Sequence, residues 1–137
     1  MLIVIRMKIK TIFLFSVLLA GCNQSPSYDT RLEGTWWSNK EITLSNADVT
    51  KLSKKTLQFL EDNLGDLGFS YKKDKNAPLS KSNPTLELKY EKYKLIKTTN
   101  NSVTIAALNG PEIKLTFEGN CYYVDSTLGL NEYFCKE

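Results

Sequence analysis

The C-terminal half of the chain alternates apolar and polar residues, which is the pattern of β-strands that bury one face. Three turn sequences interrupt the alternation, at Asn109-Gly110, Gly119-Asn120 and Leu128-Gly129. Short turns of this kind join antiparallel neighbours. The pattern therefore predicts a series of β-hairpins.

The register of the first hairpin follows from keeping its apolar side chains on one face, because a slip of one residue reverses every side chain. A three-residue loop over 109–111 meets this condition. It pairs Ala107 with Ile113, Ile105 with Leu115, and Val103 with Phe117. A two-residue turn at Gly119-Asn120 then places Phe117 opposite Tyr122.

The last hairpin centres on Leu128, which lies midway between Cys121 and Cys135. A three-residue loop with Gly129 in a left-handed conformation suits this position. The two cysteines then lie opposite each other. The alternation that sends Tyr122 inward sends both sulfurs to the outer face.

The middle of the chain is less regular. Residues 85–98 alternate in two phases, which indicates a bulge near Glu91-Lys92, and residues 78–84 are predicted to be a loop. Residues 47–64 fit one amphipathic helix, with Val49, Leu52, Thr56, Leu60 and Leu64 on one face and Ser45 or Asn46 as its cap. They also fit a short helical turn after Asn46 and then a strand at TLQFL, followed by another at GFSYKK. We favour the strands.

These segments predict an all-β domain, a small antiparallel up-and-down meander or barrel with one short helix, over residues 32–137. The alternative is an α+β fold in which the helix 47–64 packs on an antiparallel sheet. Residues 22–31 are polar, contain Pro26, and are predicted to form a flexible tether.

The N-terminal residues differ from the rest in composition. Residues 1–21 are mostly apolar and carry three of the 18 basic residues, Arg6, Lys8 and Lys10, which leaves 15 basic against 15 acidic residues from Cys22 onward. Residues 11–20 form an apolar run too short to cross a bilayer but typical of a secretory signal. The signal is complete from Met7, where we expect translation to start.

The end of this run, Leu19-Ala20-Gly21-Cys22, resembles the lipobox of bacterial lipoproteins. The resemblance implies cleavage between Gly21 and Cys22, a diacylglyceryl group on the Cys22 thiol, and often an acylated amino terminus. Such anchoring is stable without a spanning segment. In Gram-negative relatives an Asp after the cysteine commonly signals inner-membrane retention, so Asn23 favours the outer membrane, facing the periplasm.

Once Cys22 is lipidated, two cysteines remain. In an exported protein they most simply form a Cys121–Cys135 disulfide, which we expect to be an external staple.

The sequence Gly34-Thr35-Trp36, followed by at least six strands, resembles the Gly-x-Trp opening of lipocalin-like barrels. The resemblance implies that Trp36 plugs the closed end of a barrel. The chain departs from that family because it lacks a Thr-Asp-Tyr motif and offers Lys136 where an arginine stacks on the Trp. The alternative is that Trp36 and Trp37 are one core and one surface aromatic of a first strand.

The composition excludes several classes of enzyme and binding protein. The chain has no histidine, which excludes Ser-His-Asp and Cys-His catalysis and nearly all zinc enzymes. It has no Gly-rich phosphate loop, and the neutral mature part lacks the basic excess that nucleic-acid binding needs. We therefore expect a non-enzyme with no cofactor, no metal and no nucleic-acid partner.

Two functions remain. One is a non-catalytic, membrane-anchored protein-binding module of the cell envelope, of accessory, inhibitor or immunity type, with an envelope protein as its partner. The other is a small barrel that binds an apolar or envelope-derived ligand, with Lys92 and Lys94 inside. The candidate contact residues are Trp36, Trp37, Lys92, Lys94, Tyr123 and Tyr133. We favour the protein-binding module, because the core aromatics leave little room inside.

Overall fold

A computed structural model describes residues 25–126 and 128–137. Over these residues eight antiparallel strands follow one another in chain order, and the last pairs with the first to close a barrel. The strands are β1 (Gly34–Ser38), β2 (Leu67–Lys72), β3 (Lys75–Ser80), β4 (Glu91–Thr98), β5 (Ser102–Ala107), β6 (Glu112–Glu118), β7 (Cys121–Asp125) and β8 (Asn131–Lys136). The predicted all-β, up-and-down barrel is confirmed.

Two short helices, α1 (Lys40–Ser45) and α2 (Lys54–Asn63), connect β1 to β2, with a 3₁₀ turn at Val49–Lys51 between them. Another 3₁₀ turn, Thr30–Leu32, precedes β1. No helix in the described part of the chain is long and apolar enough to cross a membrane.

The strand expected at TLQFL is wrong, because α2 occupies it. Ser53 caps this helix by accepting a hydrogen bond from the Thr56 amide, an arrangement that stabilises a helix start. Leu60 is 5% exposed, whereas Phe59 is 57% exposed. The helical spacing of Leu60 and Leu64 therefore prevails over local alternation. The strand expected at GFSYKK is confirmed as β2.

The predicted loop at 78–84 begins too early, since β3 extends to Ser80 and includes Pro78. The ladder between β3 and β4 contains only Lys75–Lys92 and Asn76–Glu91. Pro78 has no N–H to donate, so a longer ladder is disfavoured at this point. Residues 81–90, called the strap from here on, leave the ladder and cross the outer surface.

The bulge predicted near Glu91-Lys92 is misplaced. The register shift lies in the same strand, between Leu95 and Lys97.

Two of the three hairpin registers are confirmed, since Phe117 pairs with Tyr122 and Cys121 pairs with Cys135. The β5–β6 register is wrong by two residues, because Ile105 faces Ile113 and Val103 faces Leu115. The turn is longer than expected and places Asn109 at φ 62°. A slip of two residues preserves the faces.

Aromatic side chains fill the barrel interior. The ring of Trp36 lies 4.8 Å from that of Tyr122, which stacks on Phe134 at 5.3 Å between centroids. The core also contains Leu32, Tyr71, Tyr93, Val103, Ile105 and Leu115, with Phe69, Phe117 and Val124 packed against it. These side chains are in contact with one another through the barrel and fill its centre.

The folded part begins before residue 32, which corrects the expected end of the tether at residue 31. Tyr28 packs against the core. The Arg31 guanidinium donates to both carboxylate oxygens of Asp29 and to the carbonyl oxygens of Thr99 and Asn100. This ion pair lowers the pKa of the Asp29 carboxyl. The 3₁₀ turn at Thr30–Leu32 thereby closes one end of the barrel.

Candidate functional site

The predicted contact residues do not form one site. Trp36 lies inside the barrel, where its Nε1–H donates to the Leu32 carbonyl at 2.7 Å. The Nζ of Lys136 lies 5.2 Å from the Trp36 ring centroid, within cation–π range. Trp36 is 3% exposed and therefore has mainly a structural role, although it lines a shallow pocket together with Lys136.

The inward orientation expected for Lys92 and Lys94 is wrong. Tyr93 and Leu95 belong to the core, so the alternating lysines lie on the outer face and are exposed. The misplaced bulge explains the error, because it reversed the phase of this segment. Lys92 lies 3.8 Å from the Asp74 carboxylate.

Tyr123 and Tyr133 lie side by side on the outer face, with ring centroids 5.2 Å apart. Tyr133 is only 6% exposed, and its hydroxyl donates to Glu118. Helix α1 covers this part of β8, where the Thr43 hydroxyl accepts from the Tyr133 amide at 2.9 Å. Tyr133 therefore belongs mainly to the packing of α1 on β8, and Tyr123 lies beside it on β7.

The Cys121–Cys135 disulfide is formed. Its side chains lie on the outer face, as the register predicts. Cys121 is nevertheless only 5% exposed, so the bridge is a covered staple rather than an exposed one.

Among the predicted contact residues, Trp37 lines an apolar groove on the outside of the barrel. It points outward from β1 and lies against Gly68 of β2. A Cβ at Gly68 would lie 2.6 Å from the Trp37 ring and 2.5 Å from the Trp36 carbonyl oxygen. The absence of a side chain at Gly68 therefore allows the indole to lie on the sheet.

The strap forms the other wall of this groove. Leu86 and Leu88 are 44% and 42% exposed, and together with Trp37 and Leu79 they line a groove of about 420 Å³. The Nζ of Lys81 lies 5.0 Å from the Trp37 ring centroid. We call this feature the Trp37 groove.

Both ends of the strap are fixed to the barrel. At its start, the Asp66 carboxylate accepts hydrogen bonds from the Ser82 amide and the Ser80 hydroxyl, which lower the pKa of Asp66. At its end, the hydroxyls of Tyr90 and Ser70 lie 2.8 Å apart. The Trp37 groove is therefore preformed.

A larger, more charged groove of about 820 Å³ adjoins the end of the strap. Its rim contains Lys72, Lys73 and Lys75, against the acids Glu33 and Asp74. The Nζ of Lys72 lies 4.7 Å from the Tyr90 ring centroid. These lysines line this second groove together with the two acids, whereas Lys81 lines the Trp37 groove.

A separate pocket of about 200 Å³ lies between α2 and the β7–β8 hairpin, with Glu132 among its lining residues. The Glu132 Oε1 accepts from the Ser38 hydroxyl at 3.2 Å, and Ser38 accepts from the Gly65 amide. Burial raises the pKa of Glu132, and the Ser38 hydrogen bond partly offsets this effect. We call this feature the α2 pocket.

The raised pKa of Glu132 predicts a stability difference that depends on pH. A carboxyl whose pKa is higher in the folded than in the unfolded state favours folding while protonated, and this contribution is lost as pH rises through the folded-state pKa. Glu132→Gln should therefore unfold at higher denaturant than the wild type at pH 7. The difference should shrink below pH 4.5, the ordinary value for Glu.

Parallel denaturation of Glu112→Gln, a change at an exposed carboxyl, provides the control, because Glu112 should show no such pH-dependent gain. A Glu132→Gln protein that is less stable than wild type at pH 7 would contradict the burial argument.

Sequence reasoning missed the strap leucines as groove residues, and it missed Glu132. The sequence pattern predicts that Leu86 and Leu88 belong to a strand. They are exposed because the ladder between β3 and β4 ends at the Asn76–Glu91 pair. The inward position of Glu132 was predictable from the sequence, because side chains two positions apart on a strand lie on the same face and Phe134 is predicted to point inward.

Gly21 and Cys22, the predicted cleavage and lipidation residues, lie outside the described residues. Within the described ranges, no group of three or more Cys, Asp or Glu side chains is placed to hold a metal ion.

The fold and its surface define a small closed up-and-down barrel with an external apolar groove. No protein-family model matches the chain, and no curated protein or solved structure shows significant similarity to it.

Proposed function

We propose that this protein is a lipid-anchored, non-catalytic protein-binding module of the cell envelope, of accessory, inhibitor or immunity type, that binds its partner through the Trp37 groove. The lipobox at Cys22 supports the anchoring. The preformed groove on the outside of a barrel with a filled interior supports the binding mode, and it is the observation that carries the proposal.

The groove has the features of a protein-binding surface. A half-buried indole beside two exposed leucines supplies apolar anchor contacts, which dominate binding energy at many interfaces. Because both ends of the strap are held by hydrogen bonds, ordering the groove on binding costs little entropy. Lys81, whose ammonium lies over the Trp37 ring, adds a preference for acidic residues. The partner segment is expected to carry apolar side chains flanked by Asp or Glu.

The anchor and the groove are compatible. Tyr28 is the first of the described residues that packs on the core, and it lies six positions after Cys22, with five residues between them. At about 3.3 Å per residue this connection reaches at most about 20 Å. A partner would therefore be bound close to the membrane surface. If the cell is Gram-negative, we expect this to be the outer membrane, on its periplasmic side.

Site-specific photocrosslinking in intact cells tests the binding mode. A benzophenone side chain at Leu88 should give a discrete protein adduct, and Trp37→Ala should remove that adduct. The matched position is Leu108, which is 70% exposed and lies outside the Trp37 groove. Adducts of equal yield from both positions, or none from Leu88, would contradict the proposal.

A further inference from the structure

The α2 pocket combines apolar walls with one carboxylate. Leu60 and Leu130 are buried, while Phe59 and Leu128 are exposed at the rim. Of the described residues that line the pocket, Glu132 alone is ionisable. Its place next to Phe134 on β8 puts this carboxyl on the inward face, at the edge of the core.

One oxygen of this carboxylate is free for a ligand. Oε1 accepts from Ser38, whereas no group of the described residues donates to Oε2. Every fully buried side-chain oxygen or nitrogen in the described part of the chain has a hydrogen-bond partner, so Oε2, which has none, is not fully buried. Oε2 is therefore in contact with solvent, and the side chain that carries it lines the pocket.

We propose that the α2 pocket binds a short apolar chain that ends in a protonated amine, with the ammonium group on Oε2 of Glu132 and the chain against Leu60, Leu64 and Leu130. The proposal is independent of the Trp37 groove, because the two features share no lining residue.

The chemistry of the pocket favours a cation over other head groups. A carboxylate beside apolar side chains has lost part of its hydration, and an opposite charge within about 4–6 Å stabilises its ionised form. Hydrogen bonds from an ammonium to a carboxylate are roughly twice as strong as those between neutral groups. An anionic head group meets repulsion at the same place.

The size of the pocket favours a short chain. Its volume of about 200 Å³ is below the roughly 300–1,000 Å³ of pockets that hold drug-sized ligands. A six-carbon chain is therefore a suitable probe, and the apolar rim formed by Phe59 and Leu128 accommodates its outer end.

Three six-carbon probes that differ in their head group test the proposal: hexylamine, hexan-1-ol and hexanoate. Each is titrated into the mature protein in lipid nanodiscs, with empty nanodiscs as the blank, and leucine methyl NMR shifts are followed. Hexylamine should shift the methyls of Leu60, Leu64 and Leu130 but not that of the core residue Leu115. Its affinity should exceed that of hexan-1-ol by roughly ten-fold or more, the effect of one charged hydrogen bond.

Glu132→Gln is the decisive variant, because it preserves the shape of the side chain and is expected to fold with higher stability at pH 7. The affinities of the amine and the alcohol should become equal in this variant, while the control Glu112→Gln should keep the difference. Equal affinities in the wild type, an amine preference that survives Glu132→Gln, or methyl shifts elsewhere would overturn the proposal.

Discussion

Trp36→Ala is expected to lower the free energy of unfolding by about 3–5 kcal/mol, the range for removing a large buried aromatic side chain. The substitution leaves a cavity beside Tyr122 and removes the hydrogen bond that the Trp36 Nε1–H donates to the Leu32 carbonyl. Because Leu32 closes the barrel end, the loss should also loosen the 3₁₀ turn at Thr30–Leu32. Urea denaturation followed by tyrosine fluorescence measures the change.

The neighbouring tryptophan provides a matched control. Trp37 is half-buried on the outer face, and Trp37→Ala should cost about 1 kcal/mol or less, as most surface substitutions do. Two adjacent residues of one type should thus differ several-fold in their effect. Equal losses at the two positions would show that the inward and outward assignments are wrong.

Removing the disulfide is the second large effect. Cys121 and Cys135 are 14 residues apart, and closing a loop of about 15 residues contributes roughly 3 kcal/mol in the chain-entropy model. The double replacement by alanine should therefore cost about 2–4 kcal/mol. Because Cys121 is buried, replacement by serine should cost about 1–3 kcal/mol more, the penalty for burying a hydroxyl without a partner.

Reduction provides the control for this prediction. A reductant should lower the denaturation midpoint of the wild type and leave that of the double alanine variant unchanged. Two free thiols at these positions in the denatured, unreduced wild type would contradict the bridge.

The sequence predicted the barrel because its C-terminal strands constrain one another. Each hairpin register had to keep apolar side chains on a shared face, and the pairs Phe117–Tyr122 and Cys121–Cys135 follow from that condition. The β5–β6 hairpin shows the limit of this argument. A slip of two residues leaves the faces unchanged, so side-chain patterning does not distinguish Ile113 from Leu115 as the partner of Ile105.

The Trp37 groove was only partly predictable. The outward position of Trp37 follows from the alternation that sends Trp36 inward, but the strap does not follow from local patterning. Leu86 and Leu88 alternate as a strand does, and they remain unpaired because β3 carries Pro78. Local patterning also led to the wrong prediction for α2. Leu57 and Phe59 are spaced as on a strand, but it is Leu60 that is buried, which requires a helix.

We propose that the barrel functions while it is attached to a membrane by a lipid on Cys22. The most direct test is the intact mass of the protein extracted from the membrane fraction, with a Cys22→Ser protein alongside. We expect a chain that begins at Cys22 and carries a diacylglyceryl group. The Cys22→Ser protein should either remain uncleaved or be released from the membrane. A membrane-bound chain with an unmodified Cys22, or normal processing and retention of Cys22→Ser, would contradict this proposal.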